Sequence, residues 1–361
     1  MTNQNTYDLV NRLTGKSSAV NFNYQYNAAS QRTRVTLGDG SYWLYGYDAL
    51  GQLTSANKYF SDGTPVAGQQ FDYAFDTIGN RTGTLAGGDQ TGTTNAMRPA
   101  GYTNDLHNLN QIASRGVPGY VDVLGLGLLT NSVSVNGSNA YRKWEYFREQ
   151  LAVNNASSAL WQNVSVASGQ TTNSGNVFVA QNPETFTYDS DGNLMSDGRW
   201  SYSWDAENRL INMTSLTGAP AASKYSLTFS YDYLGRRIQT VVSNYNGSGY
   251  VAQYTKRFLY DGWNLVAILN PSSSLVASLM WGTDLSGSMQ GAGGVEGLLA
   301  ENIVGSGVQF VAYDGNGNVA ALVNAATGAV SANYEYGPFG ELIRATGPMA
   351  KVNPHVLHQV L

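Results

Sequence analysis

A short unit recurs along this chain and constrains its fold more than any other feature. An aromatic residue is followed by Asp, two variable residues, Gly or Asn, a polar residue, and then Leu, Val or Arg. The unit reads Tyr47-Asp48-Ala49-Leu50-Gly51-Gln52-Leu53 and returns as Phe75-Asp76-Thr77-Ile78-Gly79-Asn80-Arg81. Further copies are Tyr188-Asp189-Ser190-Asp191-Gly192-Asn193-Leu194, Trp204-Asp205-Ala206-Glu207-Asn208-Arg209-Leu210, Tyr231-Asp232-Tyr233-Leu234-Gly235-Arg236-Arg237 and Tyr313-Asp314-Gly315-Asn316-Gly317-Asn318-Val319. Looser copies begin at Tyr7, Tyr26, Tyr260 and Tyr336. The first four aromatic positions, Tyr7, Tyr26, Tyr47 and Phe75, are 19, 21 and 28 residues apart, which suits one β-hairpin per copy.

Turn chemistry explains the unit. A type I turn favours Asp or Asn at its first position and Gly at its fourth. The Asp side chain accepts backbone N–H bonds, and Gly takes positive φ without a steric penalty. Where Gly is missing, Asn stands in its place, at Asn11, Asn208 and Asn264. Asn is the side chain that best tolerates a left-handed backbone. Gly337-Pro338-Phe339-Gly340 loses the Asp but puts Pro at the second turn position, where its fixed φ helps.

Before the turns the period is two. Phe71, Tyr73 and Phe75 alternate with Asp72 and Ala74; Trp200, Tyr202 and Trp204 with Ser201 and Ser203; Leu227, Phe229 and Tyr231 with Thr228 and Ser230; Tyr334 and Tyr336 flank Glu335. Such alternation predicts half-buried strands. One face stacks rings across strands, and the small polar face is expected to meet water. The fold class is therefore all-β: successive antiparallel β-hairpins in one sheet. Strand twist should curl so long a sheet into a spiral.

Composition agrees. Gly (41) and Tyr (24) are abundant, and charged residues are only 12%, against the ~25% usual in globular domains. A net charge of −5 offers no basic face for nucleic acid. With no cysteine, disulfides, thiolate metal sites and cysteine nucleophiles are excluded. The opening Met1-Thr2-Asn3-Gln4-Asn5 lacks the features of a signal peptide, and no apolar run predicts a membrane span.

These residues resemble the RHS/YD-repeat family over nearly the whole chain. One Tyr-Asp-x-x-Gly match is weak; ten at hairpin spacing are specific. Tyr24-Gln25-Tyr26-Asn27-Ala28-Ala29, Leu109-Asn110-Gln111, Glu145-Tyr146-Phe147-Arg148, Asp284-Leu285-Ser286-Gly287 and Tyr336-Gly337-Pro338-Phe339-Gly340-Glu341 also look like family segments. The resemblance implies a partial RHS/YD-repeat shell, a spiral sheet that in bacterial members encloses a C-terminal polymorphic toxin for delivery. It implies as partners that toxin domain and a delivery apparatus, both absent from this chain, and a secreted or cell-surface parent protein. The chain departs from the family at Gly337, where Asp is usual, and at Glu296 in a glycine-rich run. It also ends at Leu361, before the family's core motif, so the self-cleavage residues have no counterparts here. The tail His355-Val356-Leu357-His358-Gln359-Val360 does not resemble the family, and a frameshift near Pro354 is expected.

One continuous repeat domain is expected over 1–354, less regular over 113–184, with 355–361 an atypical tail. Gly83 to Ala96 reads as a long turn or loop, 282–307 as a glycine-rich loop, and Tyr141 to Arg148 as an edge strand protected by charge.

No catalytic, cofactor or metal residue is singled out, and an enzyme is not expected. Asp189-Ser190-Asp191-Gly192-Asn193 superficially resembles a calcium loop but lacks the closing Glu and lies in register with the repeat. Gly291-Ala292-Gly293-Gly294-Val295-Glu296-Gly297 has its third Gly one place late for a dinucleotide loop, with no clear helix after it. The histidines His107, His355 and His358 form no recognisable motif. The leading reading is a non-catalytic encapsulating scaffold. A second is a surface adhesion or carbohydrate-binding module, with a glycan as partner and rings outside the stripes, such as Trp161 or Trp263, as contacts. A third is a non-functional truncated product, since open strand edges without caps invite aggregation.

Overall fold

The structure is a computed structural model that describes residues 2–105 and 109–351. His107, His355, His358, the tail and the expected frameshift point lie outside the described residues. Thirty-two strands and two single-turn 3₁₀ helices, Thr94–Ala96 and Ala221–Ser223, make up the regular structure there. No helix of the described residues is long and apolar enough to cross a membrane.

Neighbouring strands pair antiparallel in sequence order. An 11-stranded sheet begins at Gln4–Tyr7 and ends at Glu184–Thr185; a 14-stranded sheet runs from Thr187–Tyr188 to Leu342–Thr346. The two form a near-continuous wall. Phe186 N donates to Ala113 O at 3.0 Å, and Tyr188 Oη to Ile112 O at 3.0 Å, which carries the pairing across the gap.

The period-two pattern sorts the faces. Trp200 and Leu227 are buried with Val242, and Tyr202 and Phe229 pack on them, while Ser201, Ser203, Thr228 and Ser230 are exposed. Tyr24, Val35, Trp43 and Ala56 form the matching core of the first hairpins. The largest core gathers Phe258, Ile268, Leu279, Ile303, Val311, Leu322 and Tyr334, closed by Met349 and Ala350 as the chain folds back after Leu342–Thr346.

Three local expectations change. Gly83–Gly87 belongs to the strand Arg81–Gly87, because its backbone pairs on both sides despite its small residues. The stretch from Tyr141 to Arg148 is a hairpin rather than one strand. Tyr141–Lys143 and Tyr146–Ala152 pair with each other, and Trp144 takes φ +53° at the bend. Residues 298–303, expected in a glycine-rich loop, form the strand Leu298–Ile303, since Leu298, Ala300 and Ile303 are buried in the wall.

Ile112–Arg115 pairs directly with Glu184–Thr185. Residues 116–183 therefore leave the wall and return to it. They fold into a three-stranded and a four-stranded sheet around Val133, Val135 and Phe147. This excursion rests on the first hairpins. Tyr146 Oη donates to Ala67 O, Lys143 Nζ reaches Asp62 at 2.6 Å, and Phe60 meets Trp144 and Tyr146 edge-on.

Candidate functional site

Each of the six full aromatic-Asp units folds into the same bend. At Asp48, the Gly51 N–H donates to Asp48 O at 3.1 Å, and Gly51 has φ +83°. Asp48 Oδ1 accepts from Leu50 N and Gln52 N, both at 2.9 Å. The register then slips by one residue as the strand resumes, a β-bulge between Gly46 and Tyr47. The bends at Asp76, Asp189, Asp205, Asp232 and Asp314 repeat this, with Gly79, Gly192, Asn208, Gly235 and Gly317 at positive φ. Asn11 and Asn208 take φ +63° and +58° in the same role. Asn264 does not. There the positive φ falls on Gly262, and Asp261 pairs with Asn264 across a two-residue hairpin turn. In Gly337-Pro338-Phe339-Gly340, Glu341 accepts from Phe339 N at 3.0 Å, taking over one bond of the missing Asp.

The Asp carboxylates are charge-stabilised. At Asp205, bonds from the Arg209 backbone N–H and then its guanidinium, at 2.7 Å, hold the carboxyl below the usual range against partial desolvation. Asp189 is lowered first by the Asn193 side-chain amide. Asp189 therefore spends its oxygens on Asp191 N, Asn193 N and Asn193 Nδ2. No cluster of three or more His, Cys, Asp or Glu able to hold a metal occurs among the described residues.

Two interactions along this rim were missed from sequence. The first is the polar tip of the repeat's aromatic residue. Tyr26, Tyr47, Tyr231 and Tyr336 donate through Oη to the carbonyls of Leu13, Arg32, Leu210 and Val319 at 2.7–2.9 Å, and Trp204 Nε1 does the same to Leu194 O at 2.8 Å. The acceptor is the seventh residue of the preceding unit, so each ring ties its hairpin to the one before. Phe75 has no such donor. Tyr231→Phe is expected to lower stability by about 0.5–1.5 kcal/mol, the usual worth of one hydrogen bond, read as a shift in the denaturation midpoint.

The second is a ladder of polar side chains just after the bend. Asn80 Nδ2 donates to Asn110 Oδ1 at 3.2 Å, Asn193 Nδ2 to Asn208 Oδ1 at 2.8 Å, and the Arg236 guanidinium to Gly262 O. The amides of Gln31, Gln52 and Gln111 lie 3.1–3.4 Å from where a Cβ on Gly51, Gly79 and Gly192 would sit. The Gln111–Gly192 step keeps the ladder unbroken past the 116–183 excursion.

Beyond the rim, the wall overlaps itself. Lys16 Nζ pairs with Glu296 at 2.5 Å, Tyr24 Oη accepts from Gly315 N at 2.6 Å, Arg32 donates to Asn316 Oδ1 at 2.7 Å, and Lys58 pairs with Glu335. The partners are 280, 291, 284 and 277 residues apart, in the same order in both layers. Farther along, Phe339 sits edge-on to Tyr73 at 4.8 Å and under the Arg81 guanidinium at 4.2 Å. Hairpins about 280 residues apart are thus stacked face to rim.

Both lysines are buried on the aromatic face, opposite Phe22 and Trp43 across the strands. Glu335, expected to face water, is buried as well, because the first layer covers it. Burial raises its carboxyl, but Lys58 and Arg344, the latter at 2.9 Å, outweigh this and hold it below the usual range. The odd Glu296 is the carboxylate that meets Lys16. Its loop is pinned by Asp284, whose oxygens take Ser286 Oγ, Ser286 N, Ala292 N and Gly294 N. These bonds, with Ser286 Oγ first, hold Asp284 at about 2.

Between the layers lies a cavity of about 690 Å³, lined by Trp43, Tyr45 and Arg32 from one side and Asp314, Asn318 and Tyr336 from the other. Of the two rings singled out as sugar contacts, Trp161 is half-buried in a paired strand, and Trp263 is exposed at a turn.

Comparison with known proteins matches residues 26–58 to the RHS Repeat family model, the stretch that carries the Tyr47 bend and both its flanking strands. Those residues carry an RHS repeat. This RHS-repeat chain is 29% identical over 161 residues to the tRNA3(Ser)-specific nuclease WapA of Bacillus spizizenii and 28% identical to the tRNA nuclease WapA of Bacillus subtilis. Each match covers 44% of the chain and 6% of the relative, so the chain spans a small part of either nuclease. Among solved structures, the crystal structure of TcdB2-TccC3-Cdc42 aligns with 97% of the RHS-repeat chain and 17% of its own, at 14% identity and a TM-score of 0.38.

Proposed function

We propose that this chain is a non-catalytic stretch of shell wall whose parent protein, secreted or displayed at the cell surface, encloses a C-terminal toxin for delivery. The observation that carries this reading is the overlap of hairpins about 280 residues apart, clamped by buried charge pairs. An overlapping wall is what an enclosure requires, whereas an open adhesive ribbon does not need one. The named relatives are nucleases as whole proteins, and the stretch of this chain that matches them covers 6% of their length. Nuclease activity is accordingly assigned to other parts of such proteins.

A second reading, carbohydrate binding, is favoured by the interlayer cavity, where aromatic rings meet Asp, Asn and Arg side chains. One experiment separates the readings. The purified chain is incubated with tRNA and applied to a glycan array. The wall reading expects intact tRNA and no selective sugar retention. Cleavage by homogeneous protein overturns the non-catalytic assignment, and selective retention of one glycan class moves the function to the second reading.

A further inference from the structure

One side chain in the second layer has no structural explanation within the wall. Glu301, on the strand Leu298–Ile303, is 1% exposed, and both its carboxylate oxygens lack a hydrogen-bond partner. Its cross-strand neighbours are Leu279 and Gln309. Gln309 does not bond to it: its amide oxygen accepts from Ser331 Oγ at 2.6 Å and its amide nitrogen donates to Ser306 O at 3.2 Å. Around it lies the largest apolar core, with Leu279, Ile303, Val311, Leu322 and the returning Met349.

The charged and titratable groups on the packed elements are all otherwise engaged. Tyr313, close enough to feel the Glu301 charge, donates its hydroxyl to Leu298 O at 2.7 Å. Tyr334 lies with its hydroxyl toward Ala350 O. Glu335, on the same strand as Ser331 and Tyr334, is held by Lys58 and Arg344. Glu296 is held by Lys16, and Lys351 is exposed. A buried carboxylate without a counter-charge is strongly disfavoured, so the group keeps its proton instead. Burial alone pushes the Glu301 carboxyl up to about 7.

We propose that Glu301 is a pH sensor built into the second layer: neutral in the closed wall, where its buried carboxyl has no partner, it gives its proton to solvent as pH rises and loosens the strands around it. The favoured state of the ionised group is one in which Leu298–Ile303 and Gly307–Tyr313 have opened enough to hydrate it. The sign follows from linkage. The folded wall binds this proton more tightly than the opened chain, so closure is strongest below pH ~4.5 and weakens up to pH ~7. The proposal concerns the mechanics of this chain and does not depend on the shell's cargo.

Hydrogen exchange of the whole chain, corrected for the intrinsic rate, tests it between pH 5 and 8. The opening equilibrium of amides in those two strands is expected to rise about tenfold per pH unit up to neutrality and then level off. In Glu301→Gln the rise should vanish while protection elsewhere is kept. An equal rise in both proteins, or none in the wild type, overturns the proposal. A carboxyl ¹³C titration of wild-type Glu301 decides the matter even if the variant does not fold. A midpoint near neutrality supports the sensor, and one in the ordinary glutamate range rejects it.

Discussion

Glu335→Ala is expected to destabilise the chain by about 3–5 kcal/mol, the loss typical when one partner of a buried ion pair is removed. The variant leaves the Lys58 ammonium buried with no carboxylate, since Lys58 and Glu335 are both enclosed between the layers. Arg344 keeps some access to solvent, so Lys58 bears most of the strain. Lys58→Met combined with Glu335→Gln should recover much of the loss, because no unpaired charge then remains. Urea denaturation of the single and double variants measures this. Additive losses would show that the two groups do not act as a pair. The same pair gives an acid limit to stability. Folding lowers the Glu335 carboxyl, so its contribution is present above the normal glutamate range and is lost as pH falls through the lowered value. Glu301 acts in the opposite direction, and closure of the second layer should therefore be strongest in mild acid.

Leu322→Ala is expected to cost about 2–5 kcal/mol, as for other large-to-small changes in well-packed cores. Leu322 is fully buried, and its cross-strand neighbours Val311 and Ala332 belong to the same cluster. These neighbours are held by their own ladder bonds and can collapse only partly onto the space left. Leu50→Ala, at the exposed third position of a bend, should change stability by no more than about 0.5 kcal/mol. Comparing the two denaturation midpoints checks the contrast. A similar small shift for both would mean that the second layer is loosely packed.

Much of this fold is legible because its signals are local. Asp48, Leu50, Gly51 and Gln52 lie within five residues, and their bend follows from side-chain acceptor geometry and a positive φ. The alternation of Trp200, Tyr202 and Trp204 with Ser201 and Ser203 sorts one strand's faces without reference to the rest of the chain. The Tyr hydroxyl bonds were missed because the ring was read for packing alone. The Tyr-to-acceptor separation varies from 13 to 21 residues, so only the position within the unit, not the spacing, carries the signal. Asn264 was misplaced because a Gly two positions earlier supplied the positive φ instead.

The amino-acid sequence alone determined an antiparallel all-β wall, the positions of its bends and which face carries the rings. Each of those depends on interactions within one hairpin. Tertiary structure alone decided that 116–183 leaves the wall and returns, that Lys16 and Lys58 are buried, and that Glu335 is enclosed while Glu301 is left without a partner. Those outcomes depend on how twist accumulates over about 280 residues before one layer meets another. A charge in a strand reads the same from sequence whether water or a second layer lies above it.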